Sequence, residues 1–224
     1  MTRTFVIGGV VYRSIVHTAH LGSILQTVSA SLVDLPEGVS PPTWHLGFDA
    51  IDYVHSSNLP TARAEWLRRQ VNDTTAEWAV SADSDSEWDG YQLYTYMALF
   101  STEDEPPAIS VVPMFCGGGG GKLNIVMGDV RQTVGQMRNR FAGQRGGPAV
   151  SITAGGFGVV AFYLPWFRRA WRDVRPERSS IDSVFGEDID MCLAVSRRGG
   201  SIAAVCVNSK HHDLISADRS ALTW

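Results

Sequence analysis

The chain has 224 residues and a mass of about 24.5 kDa, enough for one large domain with a sizeable buried core. Hydrophobic residues make up 44% and charged residues 19%, and 19 Lys+Arg against 23 Asp+Glu leave a formal net charge of −4, which excludes a disordered chain and a polycation. No apolar run approaches the ~18 residues that cross a bilayer, and the three cysteines (Cys116, Cys192, Cys206) lack CxxC or Cys/His spacing, which excludes a zinc finger or a disulfide scaffold.

Met1-Thr2-Arg3 followed by Phe5 to Val11 mimics a signal peptide, but Tyr12-Arg13, His17 and His20 interrupt the run. It reads instead as a strand buried on both faces of a parallel sheet. With the thiols read as reduced and mostly buried, the expected location is intracellular, in the cytoplasm. Residues 15–33 carry Ile15, Leu21, Ile24, Leu25 and Val28 at roughly helical spacing, and Pro36, Pro41 and Pro42 punctuate the loop beyond. Ser57-Asn58 before Leu59-Pro60 marks a helix start, and the helix runs through Ala62, Trp66 and Leu67 to about Val71. Glu77 to Ala82 alternates as a strand and runs straight into Asp83-Ser84-Asp85. Asp89 caps a helix with Leu93, Tyr96, Met97 and Phe100 on one face, and Ile109 to Phe115 is a further strand.

Residues 116–148 hold ten glycines, five of them in Gly117–Gly121, and read as long loops around a short hairpin. Gly158 to Tyr163 is expected as a strand closing into a helix from Pro165 to Trp171. Gly186-Glu187-Asp188 opens a helix with Ile189, Cys192 and Leu193 on one face, ended by Gly199-Gly200. Ile202 to Val207 is the last core strand, followed by Ser209-Lys210-His211-His212-Asp213. Strands alternating with helices imply an α/β fold with a mostly parallel central sheet in a single domain.

Charge is unevenly spread. Residues 122–178 hold ten basic residues (Lys122 and nine arginines, among them Arg131, Arg138, Arg140, Arg145 and Arg168) against three acids, a net +7 that leaves −11 for the remainder. Such a division suits an anionic partner on one face, or a solvated surface whose arginines pair with acids elsewhere in the fold.

Asp83-Ser84-Asp85 is the sharpest local signal. At an extended strand end, residues i and i+2 point the same way, and two converging carboxylates suit Mg²⁺ or Mn²⁺ holding a diphosphate. Asp and Ser are equally ordinary residues of an acidic turn. Glu187 and Asp188 can supply a general base, or can simply complement the dipole of the helix they open. His211 or His212 can reach the same sheet edge as the aspartates, or be a surface histidine. A phosphate P-loop ending at Lys122 fails, because it needs glycine at Cys116 and Ser or Thr at Leu123. Gly8-Gly9 lacks the later glycines of a dinucleotide fingerprint, and there is no Gly-x-Ser-x-Gly elbow.

Taken in order, these motifs resemble the GT-A fold glycosyltransferases, especially the family-2-like group. The matching stretches are Phe5–Val11, Ser57–Arg69, Trp78–Asp85, Gly155–Tyr163, Gly186–Leu193 and Lys210–Asp213. The run Gly186-Glu187-Asp188-Ile189-Asp190-Met191-Cys192-Leu193, then Arg197-Arg198-Gly199-Gly200, is the most specific. The resemblance implies a single GT-A (Rossmann-like) domain, residues 1–115 forming the nucleotide-sugar half and 116–224 a glycine-rich acceptor half. It implies a nucleoside-diphosphate sugar as donor, with Asp83 and Asp85 binding a divalent metal, Mn²⁺ or Mg²⁺, and the ribose or diphosphate. It makes Asp188 the base of an inverting reaction, Glu187 the residue that orients it or the acceptor, and His211 or His212 the residue that completes the metal shell. Tyr12 and Arg13 would lie near the nucleotide base, and Arg63 would approach the donor.

The chain is short with no apolar run long enough for a membrane helix, which argues against processive polysaccharide synthesis through a membrane, and it departs from the family's usual form in lacking a Gln-x-x-Arg-Trp element. The segment Ser57 to Arg63 leading to Ser81–Asp85 is similar to small phage-encoded glycosyltransferases, some of which act on hydroxymethylated bases in DNA. Under that resemblance the basic 122–178 region would meet the phosphate backbone, and the base would be flipped out or otherwise accessible. The competing expectations are a small-molecule or glycan acceptor, and an inactive module that binds a nucleotide sugar or nucleic acid. A nucleotidyltransferase is disfavoured, because a Gly-x-Gly-Thr-Arg signature is missing after the first strand.

Overall fold

A computed structural model describes residues 3–12, 18–33, 40–51, 58–73, 75–115, 122–143, 149–175 and 187–212. The first apolar run forms β1 (Thr4–Tyr12), and the helix after it is α1 (Thr18–Ala30). Then come β2 (Thr43–Ile51), α2 (Asn58–Asp73), β3 (Trp78–Ala82) and β4 (Ser86–Trp88). α3 (Gly90–Phe100) is capped as expected, the Gln92 N–H donating to Asp89 Oδ1 at 3.0 Å, and leads to β5 (Ile109–Val111).

The glycine-rich middle is more regular than its composition suggests. Its described part folds as the hairpin β6 (Lys122–Met127) and β7 (Val130–Thr133), then α4 (Val134–Gly143). Leu123, Ile125 and Met137 are fully buried and anchor these elements to the core. Next are β8 (Ala149–Ser151), β9 (Ala154–Gly155), β10 (Val159–Tyr163) and α5 (Leu164–Ala170). α6 (Glu187–Arg197) closes on Gly199, whose φ of +79° is the left-handed conformation that glycine adopts without strain. β11 (Ile202–Val205) is the last core strand, and the short β12 (Ser209–His211) follows it.

The central sheet has seven strands in the order β2-β1-β3-β10-β5-β11-β8. β1 pairs in parallel with β2 and β3, and β11 with β5. β10 and β8 run against their neighbours, so the sheet is mixed but mostly parallel. Strands from residues 1–115 and from 116–224 interleave in it.

Side chains alternate across the strands. Val6 and Val10 face one layer with Trp66 and Leu67 of α2, Phe167 of α5 and Cys192 of α6. Phe5, Ile7, Trp78 and Val80 face the other, with Ile24 of α1 and Leu93 and Met97 of α3. Burying such a set of aliphatic and aromatic side chains contributes roughly 1.5–3 kcal/mol for each large one.

Two departures from the expected elements have clear causes. β2 lacks a sharp apolar alternation because it is an edge strand, with Leu46 70% exposed. Its pairing depends on Gly8 instead, since a Cβ there would stand 1.9 Å from the Gly47 carbonyl oxygen. The strand expected over Ile109 to Phe115 ends at Val111, because Pro113 has no N–H to offer a ladder. Among the described residues no helix is long and apolar enough to cross a membrane. Cys192 is buried, Cys206 is half-buried, and both are free thiols.

Candidate functional site

Of the residues singled out in the sequence, Arg63, Asp83, Asp85, Asp188, His211 and His212 gather where β3 ends. β3 stops at Ala82 and the chain turns, Ser86 N–H donating to the Asp83 carbonyl at 2.9 Å. The backbone is therefore an acidic turn, and its two carboxylates take different side-chain partners while Asp85 still adds to the raised proton affinity of Asp83. Asp83 Oδ1 accepts from Arg63 Nη2 at 2.6 Å, and Asp85 Oδ2 lies 3.2 Å from His211 Nε2.

Arg63 stands in the first turns of α2, with its side chain only 14% exposed. Its Nη1 also donates to Asp188 Oδ1 at 3.1 Å. One guanidinium thus joins an acid at the end of β3 to an acid opening α6, 105 residues apart in sequence. The second oxygen of Asp188, Oδ2, accepts from the Phe157 N–H at 2.9 Å. Phe157 belongs to the short connection between β9 and β10, and the next residue takes part as well, since the Gly158 carbonyl accepts from Asp83 N–H at 2.9 Å. Asn124 of β6 fixes this connection: Nδ2 donates to the Gly156 carbonyl at 2.9 Å, and Oδ1 accepts from Met114 N–H at 2.8 Å.

The electrostatics follow from burial. Loss of solvent pushes the Asp83 and Asp188 carboxyls above the ordinary carboxylate range, and Arg63 pulls both back toward ionisation. Asp188 therefore does more than complement a helix dipole. Its carboxylate is bonded to two other elements and is held at the cost of desolvation, where an exposed acid would serve the dipole equally well.

β12 brings the histidines in. It pairs antiparallel with β4, Lys210 opposite Glu87 and His211 opposite Ser86, and the His212 N–H donates to the Asp85 carbonyl at 2.7 Å. His211 therefore faces Asp85, whereas His212 Nε2 sits 2.6 Å from Glu87 Oε2. Among the described residues, no three His, Cys, Asp or Glu side chains gather as a metal cage. Asp85 and His211 offer a carboxylate and an imidazole to a divalent ion, whose remaining positions would fall to phosphate oxygens and water.

The side chains of Tyr12 and Glu187, and all of Arg13, lie outside the described residues; Tyr12 ends β1 and Glu187 begins α6. Cys116–Gly121, Arg145, Arg178 and Asp213 are outside them too.

His20, on the first turn of α1, has a place in the site that its sequence context did not show. It is fully buried against Trp88 and Phe48, with Nδ1 3.2 Å from the Ser86 carbonyl. A carbonyl only accepts, so Nδ1 carries the proton, and burial lowers the ring's pKa and keeps it neutral. His20 thereby braces the turn that carries Asp83 and Asp85. The available signal was a histidine entering the helix after β1, at the sheet edge where β3 also ends. Asn124 left no sequence signal, because its role is to hold backbone.

The basic region divides into two groups. Arg131 of β7 and Arg138 and Arg140 of α4 are exposed, as are Arg169 and Arg172. Arg168 is bound inside the fold, with Nε donating to the Val71 carbonyl at 3.1 Å and Nη2 to the Ala76 carbonyl at 2.8 Å. Arg175 pairs with Asp173.

The fold and site define an α/β protein of the Rossmann-like kind, with acidic groups assembled where β3 gives way to its turn. No family model matches the chain, and no relative is found among curated proteins. Among solved structures the fold is similar to that of A197 from STIV, with a TM-score of 0.51 and 11% identity, covering 100% of this chain and 94% of that one. At that identity the likeness is one of fold.

Proposed function

We propose that the protein is a glycosyltransferase that moves a sugar from a nucleoside-diphosphate sugar to an acceptor hydroxyl. The observation that carries this reading is the Arg63 bridge, which puts a strand-end acid and a helix-opening acid on one guanidinium. Those are the positions that the resemblance to GT-A glycosyltransferases assigns to the donor and to the base.

In the reaction, the acceptor oxygen bonds to the anomeric carbon as the bond from that carbon to the diphosphate oxygen breaks. The acceptor proton passes to the Asp188 carboxylate, whose raised proton affinity suits a base. On the same resemblance Glu187, its neighbour in sequence, would orient acceptor or base, Tyr12 and Arg13 would lie near the nucleotide base, and Arg63 would meet the donor phosphates. Asp85 and His211 would hold the Mn²⁺ or Mg²⁺ ion that offsets the charge of the departing diphosphate. Asp83 and His212 adjoin this pair through the turn and β12.

For the acceptor we propose a hydroxymethylated base in DNA, its backbone met by Arg131, Arg138 and Arg140, which a phosphate chain rewards. The test has three arms. Thermal melting against nucleoside diphosphates, with and without Mn²⁺, reads donor binding without needing an acceptor. A metal-dependent rise with one nucleotide, lost in Asp85→Ala, supports the reading, and no rise with any of them refutes it. If the nucleotide binds but donor hydrolysis is equally absent in wild type and Asp188→Asn, the protein is a binding module. Full DNA affinity in a variant neutral at Arg131, Arg138 and Arg140 turns the acceptor toward a small molecule or glycan.

A further inference from the structure

Both oxygens of Asp188 are engaged, Oδ1 by Arg63 and Oδ2 by the Phe157 N–H. The two donors differ in kind. The Phe157 amide belongs to a connection pinned by Asn124 and by the Asp83–Gly158 backbone bond, so it cannot leave without unmaking β10. The guanidinium rides on a long, rotatable side chain at the start of α2, in touch with solvent at 14% exposure. Two of its contacts are to single carboxylate oxygens, one on each amino group. A diphosphate offers more oxygens and more charge, and arginine binds phosphate through paired hydrogen bonds that a split carboxylate pair does not match.

We infer that Arg63 is an exchangeable counter-charge: it closes over Asp83 and Asp188 until a nucleoside diphosphate draws it away, uncovering Asp188 for the acceptor. This rests on the donor reading above and goes beyond it by ordering the events. Donor binds first, and Asp188 becomes free to take a proton only afterwards. The exchange also explains why two acids, Asp188 mostly buried and Asp83 partly solvated, share one cation. Asp83 and Asp188 repel each other when Arg63 leaves, so the arriving ligand must supply the interaction that repays the separation.

The consequence is competition between Asp188 and the diphosphate for one guanidinium, which binding experiments read directly. Titration calorimetry of the full chain with the nucleoside diphosphate that stabilises it, and with the matching nucleoside, is compared for wild type, Asp188→Asn, Arg63→Met and the double variant. Asp188→Asn is expected to tighten diphosphate binding about three- to tenfold, because the competitor is gone, and Arg63→Met to loosen it by about tenfold or more. Affinity for the nucleoside should move in neither variant. In the double variant the tightening should vanish, as coupling through one side chain requires.

Unchanged or weaker diphosphate binding in Asp188→Asn overturns the exchange, and this result does not depend on how well Arg63→Met folds. A wild type that binds no nucleoside diphosphate overturns the donor reading itself, and the exchange with it. Normal wild-type binding with no Asp188→Asn effect sinks the exchange alone.

Discussion

Replacing Arg63 with methionine keeps most of the side chain's length and removes only the guanidinium. The loss includes two charge-assisted hydrogen bonds, of 2.6 Å to Asp83 and 3.1 Å to Asp188, in a site where the three side chains are 14%, 34% and 15% exposed. Each such bond is worth about 1.5–3 kcal/mol, and removing one member of a buried ion pair costs about 3–5 kcal/mol. Asp83 is partly solvated, so roughly 3 kcal/mol is the expected cost near neutral pH. For a chain of 224 residues that is a fall in Tm of roughly 6–12 °C.

The dependence on pH is the more searching part. In the wild type, burial raises both carboxyls above their unfolded value, so the folded state binds protons more tightly than the unfolded one. Stability from this source is full below the unfolded pKa of 3.8 and is lost as pH rises through the raised folded values. Without Arg63 the folded values rise further, so the variant loses stability over a wider span of pH. The gap between variant and wild type should therefore shrink as pH is lowered toward that unfolded value. Melting curves by circular dichroism across this range provide the assay. A Tm loss of less than about 2 °C near neutral pH, or a loss that does not shrink on acidification, would refute the buried-acid argument.

Three further outcomes are expected. His211→Ala should lower the Mn²⁺-dependent part of nucleoside-diphosphate binding by about tenfold while His212→Ala moves it less, since His211 faces Asp85 and His212 faces Glu87; calorimetry with and without the metal separates them. Arg168→Met removes the bonds to the carbonyls of Val71 and Ala76 and should cost about 2 kcal/mol, read by urea unfolding, with the proposed DNA affinity unchanged because this arginine is bound within the fold. Gly8→Ala puts a Cβ 1.9 Å from the Gly47 carbonyl, backbone that cannot rotate away, so hydrogen exchange should show β2 released from the sheet if the chain folds at all.

The parts of the fold that could be read from the chain are those whose pattern is set by burial. β1, β3 and β10 show it because their side chains are enclosed on both faces. α3 shows it through Asp89 and an apolar stripe, and α6 through its acidic opening and Gly199. β2 escaped because an edge strand has one paired side, and its register depends on the missing side chains of Gly8 and Gly47. α4 escaped because a single fully buried residue, Met137, fastens it, which leaves no helical stripe. At the site, Asp83, Asp85, Asp188 and the histidines were visible because carboxylates and imidazoles stand out at element ends. Arg63 as the link between two acids was not, since a contact across 125 residues has no local pattern. His20 and Asn124 stayed hidden for the same reason, each acting on backbone carbonyls or amides of a remote segment.

The arrangement also bears on why the acids are placed as they are. An acid that only opened α6 would be cheapest in solvent, and an acid that only made the turn after β3 would be equally content there. Instead Asp83 and Asp188 are drawn inward, where burial opposes their ionisation, and a single cation offsets the penalty for both. A fold under selection for stability alone would replace such a cluster with apolar side chains at little or no cost. Because burial already opposes ionisation of Asp188, Asp188→Asn, which keeps the shape and can still accept the Phe157 N–H, should cost less stability near neutral pH than Arg63→Met while abolishing the proposed sugar transfer. A variant that loses activity without losing stability would mark the acid as a functional group; one that loses both would make it a structural strut.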